Sequence, residues 1–476
     1  MWKLGRFWLF FLALAALLLV WTVSCGGGGE EATPTATPTA AVTRTPAATP
    51  TRTVTASPTA TPSPKATPTP AVTPTPAVTP TPAETPTPAE TPTPVAEVPG
   101  ITDTEIILGT HFALSGTWGA SYAPVIAGVK AYFKYVNAEE GGVCGRQIVF
   151  KIEDDNYDPA KAVGAVRKLV EEDKVFAIVA GLGTAAHSAV WEYLNEQGIP
   201  DLWIMSGAHK WAAEPEKYPW SVAILPDYQV EGAIFGKYIS QNMPGKKVGI
   251  LYQNDDYGED VRAGLKNGLD PTKNVLVSEQ SYESTAVSIR SQITNLKNAG
   301  AEAVVGACIP PPCAQAIQEA DRMGWHPQFL IDYVNSDPIM FQFASPEVMN
   351  GTITLQANKM FDWTDDPAVA EHWRIMKEYG DQPAGNYAIV GQQAAFLTVM
   401  ALRATCDNLT RQGLMDAVNT IFKDYQGPLN LPGITITLSP TDHLAVESMR
   451  MLKATLVDGK GKWEYFGDIL SFAGGS

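Results

Sequence analysis

The stretch that decides the fold is Val175–Pro200, VFAIVAGLGTAAHSAVWEYLNEQGIP. Its apolar opening, Val175–Ala180, reads as a strand. Gly181-Leu182-Gly183-Thr184 reads as a tight loop, and Ala185–Gln197 as a helix with Val190, Tyr193 and Leu194 on one buried face. Gly198 and Pro200 stop that helix. A helix start behind a glycine loop offers unpaired N–H groups and the positive end of a dipole, which favour an anion. Thr184 is placed to cap the helix and to give its hydroxyl to a ligand. The loop therefore reads as the carboxylate end of a small-molecule site. The plain alternative is an ordinary strand-to-helix turn, in which glycine only allows the bend and Thr184 only caps.

Outward from this stretch the same unit repeats. Upstream, Glu105–Ala113 is a strand, Leu114–Thr117 its exit loop, Ala123–Val136 a helix, Gln147–Glu153 a strand and Asp158–Glu172 a helix with Pro159 in its first turn. Downstream, Ile199–Met205 is a strand. A second series starts in mid-chain with a helix at Glu231–Gln241, a strand at Lys247–Gln253 and a helix at Tyr257–Gly268. It continues with strands at Val275–Glu279, Ala303–Ala307 and Gln328–Tyr333, and helices at Val287–Ala299 and Cys313–Met323. Thr352–Asn358, Ile434–Leu438 and Met449–Leu456 read as further strands, and Asp366–Tyr379, Tyr387–Thr405 and Leu414–Ile421 as helices. Strands alternating with helices predict an α/β fold of parallel sheets with right-handed crossovers. Two series predict two doubly wound lobes, with ligands outside the carboxyl ends of the strands.

The first hundred residues are of another kind. Met1–Cys25 carries Lys3 and Arg6, the apolar run Phe7–Trp21, and Thr22-Val23-Ser24-Cys25. Small residues before a Cys, straight after an apolar core, make a lipoprotein signal, with Thr22 a departure from the usual Leu. Cys25 is then the lipidation site; an uncleaved anchor or a plain secretory signal are the alternatives. Residues 26–99 form a linker, and its Thr33–Pro94 part repeats Ala-Thr-Pro and Thr-Pro-Thr-Pro-Ala-Glu units that cannot build a core. Extended at about 3.1 Å per residue, such a spacer reaches roughly 200 Å. Residues 100–476 suit two lobes, taken as about 101–226 with 357–441 and about 227–356 with 442–476.

The net charge of −16 argues against nucleic-acid binding and against docking on anionic lipid by charge. Besides Cys25 there are four cysteines, Cys144, Cys308, Cys313 and Cys406. An even number in an exported chain suggests disulfides with three possible pairings. Cys308–Cys313 with Cys144–Cys406 is the preferred one, and free buried thiols are the alternative.

Enzyme signals are sparse. No phosphate loop and no nucleophile elbow is present. His111, His187, His209, His326, His372 and His443 form no ligand pair at helical spacing, and Cys308-Ile-Pro-Pro-Pro-Cys313 is a zinc half-site without a second half. Gly181-x-Gly183-x-x-Ala186 with Asp201 about 20 residues on matches a dinucleotide fingerprint. It stands in the third unit rather than the first, and Asp201 precedes its strand. No catalytic residue, metal or cofactor is expected.

Several stretches carry a family resemblance: LSG at 114–116, VNAEEGGVCGRQI at 136–148, EDDNYDPAKAV at 153–163, GTAAHSAV at 183–190 and QNDDYGEDV at 253–261. From Ile101 onward the chain resembles the leucine/isoleucine/valine-type (type I) periplasmic solute-binding proteins of ABC importers. The resemblance implies two lobes joined by a three-strand hinge that trap a ligand by closing. It places Ser115, Gly183, Thr184, Ala208 and His209 at the ligand from one lobe and Tyr257 from the other. Ser121 falls where the family often has an aromatic, for which Trp118 or Tyr122 can substitute. The family's ammonium-binding glutamate aligns with Asp332 or Tyr333. A buried ammonium needs a paired carboxylate, so Asp332 in the site points to an α-amino acid. Tyr333 there points to a neutral or aromatic carboxylate stacked between Trp118, Tyr122 and Tyr257. The expected role is a monomeric, lipid-anchored receptor outside the cytoplasm. It hands a branched-chain or other amino acid, or an aromatic or organic acid, to a permease driven by separate ATPase subunits. A stalked sensory receptor, and further off a dinucleotide-dependent enzyme, are the alternatives.

Overall fold

The computed structural model describes residues 97–471 and, of Thr117, Trp118 and Ala120, the backbone alone. The signal segment, Cys25 and nearly all of the 26–99 linker lie outside the described residues, as does the side chain of Trp118.

Strands β1 (Glu105–Phe112), β2 (Gln147–Asp154), β3 (Ala177–Val179), β4 (Asp201–Ile204) and β5 (Ser221–Ala223) form one parallel sheet in the order β2-β1-β3-β4-β5. β3, β4 and β5 are buried at every position, which is why β3 and β4 read as apolar runs without alternation. Helices Gly116–Glu139 and Asn386–Ala404 pack against each other, with Pro367–Tyr379 and Arg411–Ile421 beside them. The second sheet holds β6 (Lys247–Gln253), β7 (Val275–Tyr282), β8 (Ala303–Ala307), β9 (Gln328–Ile331), β10 (Ile353–Gln356), β11 (Ser448–Val457) and β12 (Lys460–Ser471). Its order is β7-β6-β8-β9-β10-β11-β12, parallel from β7 to β10 and antiparallel at β11 and β12. The molecule is thus two α/β lobes, each on a largely parallel sheet. The chain passes between them after β5, after β10 and before β11.

Local chemistry sets the element ends. Asp158, Asp227, Asp255 and Asp366 cap helices by accepting first-turn N–H groups. The helix expected from Cys313 starts at Pro310. The first turn of a helix needs no intrahelical donors, so three prolines fit there. The helix expected from Ala123 starts at Gly116 and includes part of the expected loop. The single helix expected at Ala185–Gln197 is two, Thr184–Ser188 and Trp191–Glu196. The Ser188 hydroxyl donates to the Thr184 carbonyl at 2.6 Å, competing with the backbone ladder where the helix breaks. Ile434–Leu438 is not a strand; it makes one isolated bridge, Tyr425 to Ile436, between Pro432-Gly433 and Pro440. Asp201 lies inside β4, not before it. Disulfides join Cys144 to Cys406 and Cys308 to Cys313.

Candidate functional site

Both sheets reverse their winding once, between β1 and β3 in one lobe and between β6 and β8 in the other. The loops leaving the carboxyl ends at these reversals face each other, where open α/β sheets bind ligands. They are the 181–184 loop after β3, the Asp256–Gly268 helix start after β6, and Ile309 after β8. The space between them is about 550 Å³, its open mouth included.

Six tyrosines line it: Tyr122, Tyr157, Tyr228, Tyr257, Tyr333 and Tyr387. Tyr228 and Tyr257 meet at 4.7 Å between ring centres, and Tyr122 and Tyr387 at 5.6 Å. Tyr257 donates to Asp332 Oδ2 at 2.7 Å, Tyr333 to Asn358 Oδ1 at 2.9 Å and Tyr387 to the Val334 carbonyl at 2.5 Å. The Tyr122 hydroxyl has no hydrogen-bond partner among the described residues. Burial raises the pKa of every one of these phenols, so all stay protonated. Among the described residues, no lining side chain is charged.

Thr184 faces this space, but not as a helix cap. Gly183, at φ +94°, takes the cap position, and Thr184 is the first helical residue. Thr184 Oγ1 lies 2.7 Å from Ser206 Oγ, which accepts from Trp211 Nε1–H at 3.0 Å and from the Ala208 N–H at 3.3 Å. With two donors on Ser206, its own proton goes to Thr184 Oγ1. Thr184 keeps its proton for an acceptor in the cavity, beside the open N–H groups of the first turn. That turn is only five residues long, so its dipole adds little.

The cavity gathers Tyr122, Gly183, Thr184, Tyr257 and Tyr333 from the expected set. It leaves out five others. Ser115 is exposed and donates to Asn156 Oδ1 at 3.4 Å. Ser121 and Ala208 are buried and stand outside the lining. His209 sits at the rim, its Nδ1 2.6 Å from Asp227 Oδ2 and its backbone N–H on Asp260 Oδ2. Asp332 is wholly buried, its carboxylate taken up by Tyr257 O–H and by Asn335 Nδ2–H at 2.7 Å. Burial raises its pKa, and Glu231, which accepts the Tyr333 N–H at 2.9 Å, is raised for the same reason. The site residues not foreseen are Tyr157, Tyr228, Tyr387 and Ser206. Tyr157 follows the carboxyl end of β2, a position that could have marked it; Tyr387 stands in an apolar helix and carried no such sign.

At the rim the lobes are bridged. The His209 N–H donates to Asp260 Oδ2 at 2.9 Å, and Lys210 Nζ pairs with Asp256 at 2.6 Å. Asp201, the residue of the dinucleotide fingerprint, has no exposed surface and bonds His187, so it cannot meet a ribose.

The family model described as periplasmic binding protein matches residues 105–462. The chain is 24% identical over 298 residues to an amino acid binding protein of Pseudomonas aeruginosa, covering 61% of this chain and 76% of that one. Among solved structures, it resembles a branched chain amino acid ABC transporter protein from Thermus thermophilus with bound valine, at 20% identity and TM-score 0.67, over 78% of this chain and 98% of that one. It also resembles a solute binding protein of an ABC transporter from Rhodopseudomonas palustris BisB5 in complex with 3,4-dihydroxy benzoic acid, at 18% identity and TM-score 0.65, over 77% of this chain and 97% of that one. The two solved structures are named for ABC transporters and the Pseudomonas relative for amino acid binding, none as an enzyme. With the two facing α/β lobes and the match over most of its length, the chain belongs to the periplasmic binding protein family.

Proposed function

We propose that this protein is an extracytoplasmic receptor of an ABC importer for a carboxylate with an aromatic or apolar body. The observation that carries this is the lining: tyrosines and aliphatic side chains with no charged group, and Tyr333 rather than Asp332 on the cavity. An α-ammonium there would lack a carboxylate partner, at a cost of several kcal/mol. A carboxylate would take the Thr184 hydroxyl proton and the first-turn N–H groups, with its body stacked among Tyr122, Tyr228 and Tyr257. The structure from Rhodopseudomonas palustris supports this class, since it holds a dihydroxybenzoate in a fold of this kind. Cys25 would carry the lipid, residues 26–99 would be the spacer above the membrane, and a permease with separate ATPase subunits would receive the solute.

The relatives favour a second reading, a branched-chain amino acid, because one neighbour holds valine. A thermal-shift and calorimetric screen of hydroxybenzoates, unsubstituted aromatic acids, leucine and valine separates the two. Aromatic acids should raise the melting temperature and aliphatic amino acids should not; the reverse result would sink the proposal. Loss of uptake on deleting the permease, with the receptor still present, separates import from sensing.

A further inference from the structure

Beneath the 181–184 loop lies a polar chain that solute contact itself does not use. His111 Nδ1 is 2.7 Å from Asp155 Oδ2, His111 Nε2 is 2.8 Å from His187 Nδ1, and His187 Nε2 is 2.7 Å from Asp201 Oδ2. All four residues have no exposed surface. The imidazole centres are 5.1 Å apart and the ring planes differ by 20°. With nitrogens at 2.8 Å, this is two rings meeting edge to edge in line, the arrangement of an N–H···N bond.

The protons can be counted. Two aspartates and two neutral imidazoles carry two protons between them. These fill the bonds to Asp155 and Asp201 and leave two lone pairs facing each other at 2.8 Å between the rings. A third proton is required, whether the species is one imidazolium between two carboxylates or one aspartic acid at the end of the chain. Either way the four groups carry a net charge of −1. A fourth proton finds no place in the three bonds: between the rings it would set two N–H groups against each other, and otherwise it must go to a carboxylate oxygen outside the chain. Among the described residues no lysine or arginine bonds any of the four. Their other neighbours are the Tyr157 N–H, which donates to Asp155 Oδ1 at 2.7 Å, the Ser221 hydroxyl, 3.4 Å from Asp201 Oδ2, and Trp211, edge-on to His187. Asp201 Oδ1 has no partner among the described residues. Burial holds the His111 imidazolium down more than its bond to Asp155 raises it.

The chain touches the loop at each step. A Cβ on Gly181 would stand 2.8 Å from both His111 Nε2 and His187 Nδ1, so the loop backbone rests on the shared bond. The His187 N–H donates to the Gly183 carbonyl at 2.8 Å, and Asp155 holds the turn that presents Tyr157. We infer that His111, His187, Asp155 and Asp201 form a three-proton clamp that positions Thr184 and Tyr157, so that solute affinity depends on one proton shared by the two histidines. The inference rests on the reading of the cavity as the solute site.

Asp201→Asn is the decisive variant. An Asn side chain donates a covalently held proton to His187 Nε2, His187 then donates from Nδ1 to His111, and His111 donates to Asp155. All three bonds are filled with both imidazoles neutral. The test uses the full chain labelled with ¹⁵N-histidine and 3,4-dihydroxybenzoate as probe. In the wild type at neutral pH, one proton should correlate with both His111 Nε2 and His187 Nδ1. Above the pH at which that proton leaves, affinity should fall about tenfold per pH unit. Asp201→Asn should bind as the wild type does on its plateau and lose that fall, the solute's own titration being common to both. His187→Leu should lose binding throughout. Absence of a bridging proton, or an Asp201→Asn protein as impaired as His187→Leu, overturns the inference. If the wild type does not bind the probe, the solute reading fails instead; the amide shifts of residues 181–184 over the same pH range then decide the clamp, which is overturned if they move alike in wild type and Asp201→Asn.

Discussion

At the scale of single residues, the site is uncharged on its face and charged behind it. Thr184 keeps a hydroxyl proton that its bond from Ser206 leaves free, and the Tyr122 hydroxyl, without a partner among the described residues, keeps another. Thr184→Ala should weaken a carboxylate solute by about 1–3 kcal/mol, the loss of a hydrogen bond to a charged group, and titration calorimetry reads it; unchanged affinity would remove Thr184 from the site. Behind the tyrosines, burial raises Asp332 to about 7, with Glu231 raised beside it. The folded state therefore keeps protons that the unfolded chain releases near pH 4. The stability this contributes is fully present below that range and is lost as pH rises through about 7. Asn at 332 still accepts from Tyr257 and does not titrate. Asp332→Asn should therefore flatten the stability profile between pH 4 and 7 by on the order of 4 kcal/mol, read by urea unfolding at several pH values. A slope equal to the wild type's would mean that Asp332 ionises freely. The strand–loop–helix pattern singled out Thr184, and the family resemblance singled out Tyr257 and Tyr333. Neither could find the His111–His187 pair, because the partners are 76 residues apart and meet only through the sheet order.

At the scale of elements, central strands such as β3 and β8 showed in the sequence because burial at every position leaves unbroken apolar runs. β5 is three residues long, too short for any period to show, and β12 alternates exposed polar positions in an antiparallel edge. The break in the helix after Thr184 came from one serine hydroxyl, which periodicity does not register. The Cys144–Cys406 bridge ties the turn after the Gly116–Glu139 helix to the end of the Asn386–Ala404 helix across 262 residues. The Arg403–Glu140 and Arg374–Glu139 pairs lie beside the same helices. A bridge closing so long a loop restricts the unfolded chain strongly. Replacing both cysteines by serine should therefore lower stability by about 2–5 kcal/mol, measured by denaturant unfolding in the absence of reductant. No change in the unfolding midpoint would mean that helix packing alone fixes these ends.

At the scale of the whole molecule, the lobes meet around the cavity: the lining tyrosines are nearly all buried, and Tyr387 and Tyr333 each donate to the opposite lobe, to the Val334 carbonyl and to Asn358 Oδ1. Two kinds of contact hold this arrangement. The tyrosine faces supply apolar area, which salt does not weaken. The rim supplies Lys210–Asp256 and the His209 bonds to Asp227 and Asp260, which are partly exposed and screened by salt. The hydrogen bond to Asp227, with the charges of Asp227 and Asp260, raises the His209 pKa despite partial burial. Protonated His209 is thus favoured in this arrangement. Its contribution is fully present below the ordinary histidine value of about 6.5 and is lost as pH rises through the raised value. Three shifts toward an open form are expected in the solute-free protein: on raising pH above neutrality, on raising salt, and in Lys210→Ala. Small-angle scattering would record each as a larger radius of gyration. The His209→Gln protein should keep the salt response of Lys210–Asp256 but lose the pH response, which separates the rim from the buried carboxyl pair, whose titration that variant leaves in place. A radius independent of pH, salt and both substitutions would mean that the aromatic faces alone hold the lobes together.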